Sequence, residues 1–290
     1  MIFCVLLHTI YTPSPTQSSQ GYARNYLQWS SVTITIVYEE AVSQPTVSSS
    51  SVNMGSAVTI YTNRQSTSTT HTLTYSFGSA TGTIATNVGA SVSWTPPLTL
   101  ASQIPSATSG LCTITCYSFN GGSLTGTRTC TVTLNVPSTV VPSISSVTVE
   151  DTNSTVVERI QAYVKNLSTL SVSITAAGVY GSTISSYRTT LDGVQYTTAS
   201  FAASKRLSAA GEMTMTVIVT DSRGRTATYS TTFTVLDYSY PSITLFKAER
   251  CNTDGTAPQV DGTDVRYSFS GRIAPLNNKN GVSCAVYYKL

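Results

Sequence analysis

A proline marks the place where one alternating stretch ends and the next begins, and it does so three times at nearly equal intervals in this chain. The junctions read SVTITIVYEEAVSQPTVSSSSV (31–52), TCTVTLNVPSTVVPSISSVTV (129–149) and STTFTVLDYSYPSITLFKA (230–248). Their prolines are Pro45, Pro142 and Pro241, which lie 97 and 99 residues apart (142 − 45 and 241 − 142). A hydroxyl residue, a β-branched one and a Ser or Thr follow each: Thr46-Val47-Ser48, Ser143-Ile144-Ser145 and Ser242-Ile243-Thr244. Proline has no N–H to give a ladder, so it sits at a strand start or an edge. The preceding stretch Thr131-Val132-Thr133-Leu134-Asn135-Val136 alternates apolar and polar side chains, the period of a half-buried strand. A repeat of about 100 residues is the size of an immunoglobulin-like sandwich.

The predicted fold is therefore all-β, with tandem immunoglobulin-like β-sandwich modules flanked by partial β domains. Residues 1–42 read as the C-terminal part of a β domain, 43–137 as a first sandwich and 138–238 as a second. Residues 239–290 read as the start of a third, truncated β domain. Composition agrees. Charged residues make up 10% of the chain, against roughly 25% in an average globular protein. Ser, Thr and 17 Tyr take their place; Thr and Tyr suit a pleated, half-buried surface.

Strands are expected in the first module at 46–52, 57–62, 71–77, 82–87, 90–94, 111–119 and 127–136, with turns at Asn53-Met54-Gly55, Phe77-Gly78 and Asn120-Gly121-Gly122. The segment LTLASQIP (98–105) has helix-like spacing and is expected to cross over at one end. In the second module Val156-Val157 and Ile160 to Val164 suit a strand. Met213, Met215, Val217 and Val219 alternate with Thr214, Thr216, Ile218 and Thr220, so one face should be buried and the other lightly covered. Asp221-Ser222-Arg223-Gly224-Arg225 is the turn that follows, with Gly224 supplying a positive φ and Asp221 bonding its own backbone. Strands at 242–249, 263–270 and 282–289 are expected after Pro241, and at 5–7, 10–11 and 32–38 before Pro45.

The net charge of +3 is too weak and scattered for a nucleic-acid footprint. Its local concentration, Arg223 and Arg225 with Lys205 and Arg206, reads as turn-exposed charge. No apolar run reaches the 18 residues of a membrane span, and Met1 to Leu7 reads as a strand, not a leader.

Of the six cysteines, Cys4, Cys112, Cys116, Cys130, Cys251 and Cys284, three share a hairpin. Cys112 and Cys116 point inward with Ile114, and Cys130 with Val132 and Leu134. Buried free thiols are preferred over a bridge from Cys130 to Cys112 or Cys116. Trp94 is expected to be buried against the Cys112–Cys116 strand, in preference to a platform for a sugar ring.

No catalytic, cofactor-binding or metal site emerges, and no cofactor is expected. The two histidines are His8 and His71; neither offers a serine an evident base, and no GxSxG elbow or phosphate-binding glycine loop occurs. The acids fall at predicted turns such as Glu150-Asp151, Asp192 and Asp221. Asp254-Gly255, Asp261-Gly262 and Asp264 read as turns ahead of a calcium site. Asn153-Ser154-Thr155 and Asn166-Leu167-Ser168 fit the glycosylation pattern, which matters only in a eukaryotic secretory setting.

The wording of residues 54–137, from MGSAVTIYTNRQ to TCTVTLNVP, resembles the immunoglobulin-like repeat of tail-associated minor structural proteins of long-tailed bacteriophages. VTDSRGRTATYSTTFTVLDYSYPSI (219–243) is similar to the module that follows it there. The resemblance implies a non-enzymatic virion protein of the tail tip or baseplate, assembled in the host cytoplasm, whose sandwiches space or adhere. Its expected partners are other tail proteins and host cell-wall or surface glycans, with homo-oligomerisation left open; it carries over no functional residue. The competing readings are a bacterial cell-surface adhesin and the accessory sandwiches of a carbohydrate-active enzyme whose catalytic domain lies outside these residues.

Overall fold

The computed structural model describes residues 42–283; the expected strands at 5–7, 10–11 and 32–38, and 284–289 of the last one, lie outside the described residues. The described chain is almost entirely β and divides into two units. The first holds 42–52, 57–95 and 111–133, and the second 53–56, 96–110 and 134–283.

In the first unit, strands β1 (Thr46–Val47), β3 (Val58–Tyr61) and β6 (Ser91–Trp94) form one sheet. A five-stranded sheet runs β2-β8-β7-β4-β5, from β2 (Ser51–Asn53), β8 (Ser123–Asn135), β7 (Ser109–Asn120), β4 (Thr70–Phe77) and β5 (Ala80–Val88). The single strand expected at 46–52 is in fact two, one in each sheet. Serines make the break. Ser48 Oγ accepts the Thr59 N–H at 3.1 Å, and Ser49 Oγ both donates to the Ser51 carbonyl (2.7 Å) and accepts its N–H (3.3 Å). Such local bonds compete with the ladder and bend the chain between layers. Inward-facing Ile60, Leu73, Phe77, Ile114 and Val132 are sealed from solvent.

Trp94 is buried as expected, its ring stacked on Tyr75 at 5.3 Å between centroids. Tyr75 lies on β4, which pairs with the Cys112–Cys116 strand β7. Opposite Tyr75 in the ladder is Gly82; a Cβ there would fall 2.7 Å from the Tyr75 ring. The glycine leaves room for the aromatic to lie across its neighbour strand.

In the second unit, β9 (Ser143–Asp151), β11 (Leu170–Ala177) and β14 (Ser200–Ala202) form a three-stranded sheet ordered β14-β11-β9. Facing it is a five-stranded sheet, β10-β16-β15-β12-β13, from β10 (Tyr163–Val164), β16 (Thr226–Leu236), β15 (Gly211–Asp221), β12 (Ile184–Leu191) and β13 (Val194–Tyr196). Leu170, Val172 and Ile174 of one sheet pack with Leu191, Met213, Met215, Val217, Val219 and Val235 of the other in one core. Two layers, antiparallel except where β10 joins β16 in parallel, closing on a shared apolar interior make a sandwich. The alternation read along β15 holds, with the Met and Val side buried.

The strand expected at 156–164 is a correction. Ser154–Arg159 is a short helix, α1, and only Tyr163–Val164 joins the sheet. Asn153 caps α1: its Oδ1 accepts the Val156 N–H at 3.3 Å, while its Nδ2 donates to the Leu167 carbonyl at 3.0 Å. The cap offsets the weak helix propensity of Thr155-Val156-Val157. It also commits both ends of the Asn153 amide.

After Pro241 comes a two-stranded hairpin, β17 (Ser242–Cys251) with β18 (Asp264–Arg272), close to the expected 242–249 and 263–270. The expected crossover is a 3-10 helix, Leu98–Gln103.

Candidate functional site

The turn after β15 holds the least expected residue in the chain. Arg223, read from the sequence as exposed charge, is buried, and its side chain has no solvent exposure. This corrects the sequence reading. Lys205 and Arg206, grouped with it, are exposed.

Local chemistry sets the turn. Asp221 Oδ1 accepts the N–H groups of Arg223 (3.0 Å) and Arg225 (2.8 Å), and Gly224 takes φ 77°. The loop thus aims the guanidinium inward. Its Nη2 donates to the carbonyls of Ala101 (2.8 Å) and Tyr180 (2.6 Å), Nη1 to Val179 (2.8 Å) and Nε to Ile104 (3.3 Å). Asp221 Oδ2 stands 4.0 Å from Nη1, which balances the charge. Ala101 and Ile104 lie in the last turn and at the C-cap of the 3-10 helix; their carbonyls already accept the Ile104 and Ala107 N–H groups, and the guanidinium takes up their remaining lone pairs at the end of the helix that favours a cation. Ser222 adds a bond from Oγ to the Pro105 carbonyl at 2.6 Å, and Arg225 Nη2 reaches the Val136 carbonyl at 3.2 Å. One planar fork therefore ties the segment 101–104, the loop 179–180 and the turn 221–225 of the second unit together. Only arginine presents enough donors for this. The arrangement holds backbone and leaves no donor of the guanidinium aimed at solvent, so its work is mechanical.

The structure also brings together a serine and a histidine that sequence spacing kept apart. His71 Nδ1 lies 2.9 Å from the Val88 carbonyl, which can only accept, so Nδ1 carries the proton. Nε2 then accepts the Ser43 hydroxyl at 2.8 Å. Ser43 is 1% exposed and His71 0%. The orienting group is a carbonyl where a triad would have a carboxylate, and no substrate reaches the hydroxyl. The pair pins residue 43 to β4.

Cys112, Cys116 and Cys130 are free thiols, in line with the sequence reading; the first two are wholly buried. Burial pushes Cys112 and Cys116 up to about 11, and Cys130 adds a smaller upward push to both. The Asp-Gly segments after β17 behave as a turn, with Asp254 Oδ1 taking the Thr256 N–H at 2.9 Å and Gly255 at φ 82°. Among the described residues, no group of three or more His, Cys, Asp or Glu gathers as metal ligands would. No helix of the described residues is long and apolar enough to cross a membrane.

Residues 10–278 match the model of a family described as a siphovirus protein of unknown function (DUF859). No curated protein matches the chain. Among solved structures, the chain is similar to fibronectin(III)-like modules of Clostridium thermocellum CbhA, at 16% identity over 67% of this chain and 95% of that one, TM-score 0.26. It is similar to Sidekick-1 immunoglobulin domains 1–4, at 15% identity over 67% and 49%, TM-score 0.33. A calcium-stabilised ice-binding adhesin of an Antarctic bacterium is similar at 16% identity over 75% and 54%, TM-score 0.26. The chain spans about half the length of the last two.

Proposed function

Because the chain belongs to this siphovirus protein family, we propose that it is a structural component of the virion tail, at its tip or baseplate, that works by reach and contact. The carrying observation is how its strongest polar constellation is used. The Arg223 guanidinium, with donors enough for a substrate anion, spends them on carbonyls of 101–104 and 179–180. No catalytic step is part of this reading.

The modular reading belongs to the same proposal: one sandwich at 43–137, another at 138–238, and the first sheet of a third from 239. Host-surface glycans are the proposed contacts, met by exposed Ser, Thr, Tyr and Asn through many weak hydrogen bonds. Repetition along a particle raises avidity through effective concentration. The test is co-sedimentation of the purified chain, alone and displayed multivalently on beads, with host cell walls before and after glycan removal. Retention that vanishes with the glycan supports adhesion. No retention in either format leaves the spacer role and removes the adhesive one.

A further inference from the structure

Two loops of the second unit, 178–182 and 273–280, follow strands that correspond to each other. The pairs β9–β11 and β17–β18 share a register: Val147 faces Ile174 and Val149 faces Val172, as Phe246 faces Phe269 and Ala248 faces Tyr267. The later strands are offset by 95 residues (269 − 174), and β11 ends at Ala177 where β18 ends at Arg272. Val179, Tyr180 and Gly181 therefore correspond to Ala274, Pro275 and Leu276. The loops also close in a like way. Ser182 Oγ donates to the Val179 carbonyl at 2.9 Å, and Asn280 Nδ2 donates to the Ala274 carbonyl at 2.8 Å. Both turn through left-handed backbone, Tyr180 and Gly181 at φ 48° and 77°, Leu276 and Asn277 at 47° and 55°.

Each loop is engaged by residues of the repeat before it. The Val179 and Tyr180 carbonyls share the Arg223 guanidinium with Ala101 and Ile104, and a Cβ on Gly181 would stand 3.5 Å from the Ser102 carbonyl oxygen. The later loop is held by apolar burial. Ala274 and Leu276 are 7% and 5% exposed in a small core with Val156 of α1 and Val164 of β10, against which Leu236 and Tyr238 pack. This core is distinct from the one between the two sheets of the sandwich. Lys279 Nζ adds a bond to Gln161 Oε1, next after α1, at 3.1 Å. A leucine at positive φ is costly and persists only where its surroundings fix it. Burial of the Leu276 side chain supplies that hold.

We propose that this loop is each module's docking element for the module before it, and that Leu276 locks the hairpin β17–β18 to the sandwich 143–236 so that the two turn as one body. This rests on reading the hairpin as the first sheet of a third module. Modules joined by a short segment such as 237–241 move against each other unless an apolar interface holds them. The Leu276 core is such an interface, and the bond from Lys279 to Gln161 sets its edge. The two loops do one job with different chemistry: a buried cation on carbonyls at 179–180, an aliphatic plug at 274–276. Stiffness of this kind is what reach requires, since a joint that swings shortens the average span.

Residual dipolar couplings of the whole chain in a weakly aligning medium test this. In wild type, the couplings of 143–236 and of 242–272 should fit a single alignment tensor. Leu276→Asn removes the aliphatic plug while keeping a residue that tolerates positive φ. It should split the fit into two tensors and lower the hairpin's degree of alignment at least twofold, with the couplings inside each part still fitting their own strands. Two tensors in wild type, or a single tensor kept in the variant, overturns the docking. Should the variant lose the hairpin altogether, the wild-type couplings decide alone. The modular reading fails separately, if cross-strand nuclear Overhauser contacts do not set Phe246 against Phe269.

Discussion

The Nη2 of Arg223 lies 2.8 Å from the carbonyl oxygen of Ala101, across 122 positions of sequence. Removing the guanidinium strips the cation from four carbonyls and leaves the Asp221 carboxylate, itself without exposure, unbalanced. Arg223→Ala should therefore lose about 3–5 kcal/mol, the usual cost of breaking a buried charge pair. Arg223→Lys should recover little, since an ammonium cannot span the fork. Urea unfolding measures both; a loss within 0.5 kcal/mol, about that of an ordinary surface substitution, would return Arg223 to the exposed turn.

Asp192 sets an acid limit on stability. Burial pushes its carboxyl upward, but the N–H and hydroxyl of Ser208 and the Lys205 ammonium outweigh this and hold it below the usual carboxylate range. A depressed folded pKa means that the contribution is present above the unfolded value, near 3.9, and is lost as pH falls through the folded one. Asp192→Asn should flatten the acid limb of the melting temperature between pH 5 and 2 while leaving the hairpin turn Asp192-Gly193 in place. An unchanged limb would show that the Ser208 clasp is not felt.

Cys112 and Cys116 should resist alkylation. With both thiols at about 11 and sealed from solvent, iodoacetamide at pH 8 finds neither thiolate nor access. Labelling of these two should appear only in denaturant, and peptide mapping should show no bridge among Cys112, Cys116 and Cys130. Rapid labelling of Cys112 or Cys116 in the folded chain would contradict the packing.

Gly82→Ala should cost about 1–3 kcal/mol, the usual range for forcing extra volume into a packed site. The new methyl meets the Tyr75 ring, which is already stacked on Trp94. Thermal melts of Gly82→Ala alone and with Tyr75→Ala separate the clash from glycine's own backbone effect: the second change should relieve part of the loss.

Much of this was legible in the chain. Period-two patterns place β7, β8, β15 and β16, because burying one face of a strand leaves a trace in every second residue. The proline junctions mark β1, β9 and β17, because a residue without an N–H sits where a strand starts. What failed was set by distant partners or by single side chains. The Thr155-Val156-Val157 run speaks for a strand, yet one cap from Asn153 turns it into α1. Ser48 and Ser49 split a strand that alternation alone would continue. Arg223 shows the clearest limit: its turn was readable from Asp221 and Gly224, but its burial depends on carbonyls at 101, 104, 179 and 180. The Ser43–His71 contact was hidden likewise, since it joins residues 28 apart through the sheet.

Placement on the tail is tested most directly by immunogold labelling of intact siphovirus particles with antibody to residues 143–236. Gold clustered at the distal end of the tail is the predicted result. Particles unlabelled along the tail, or labelled on the capsid, would contradict it.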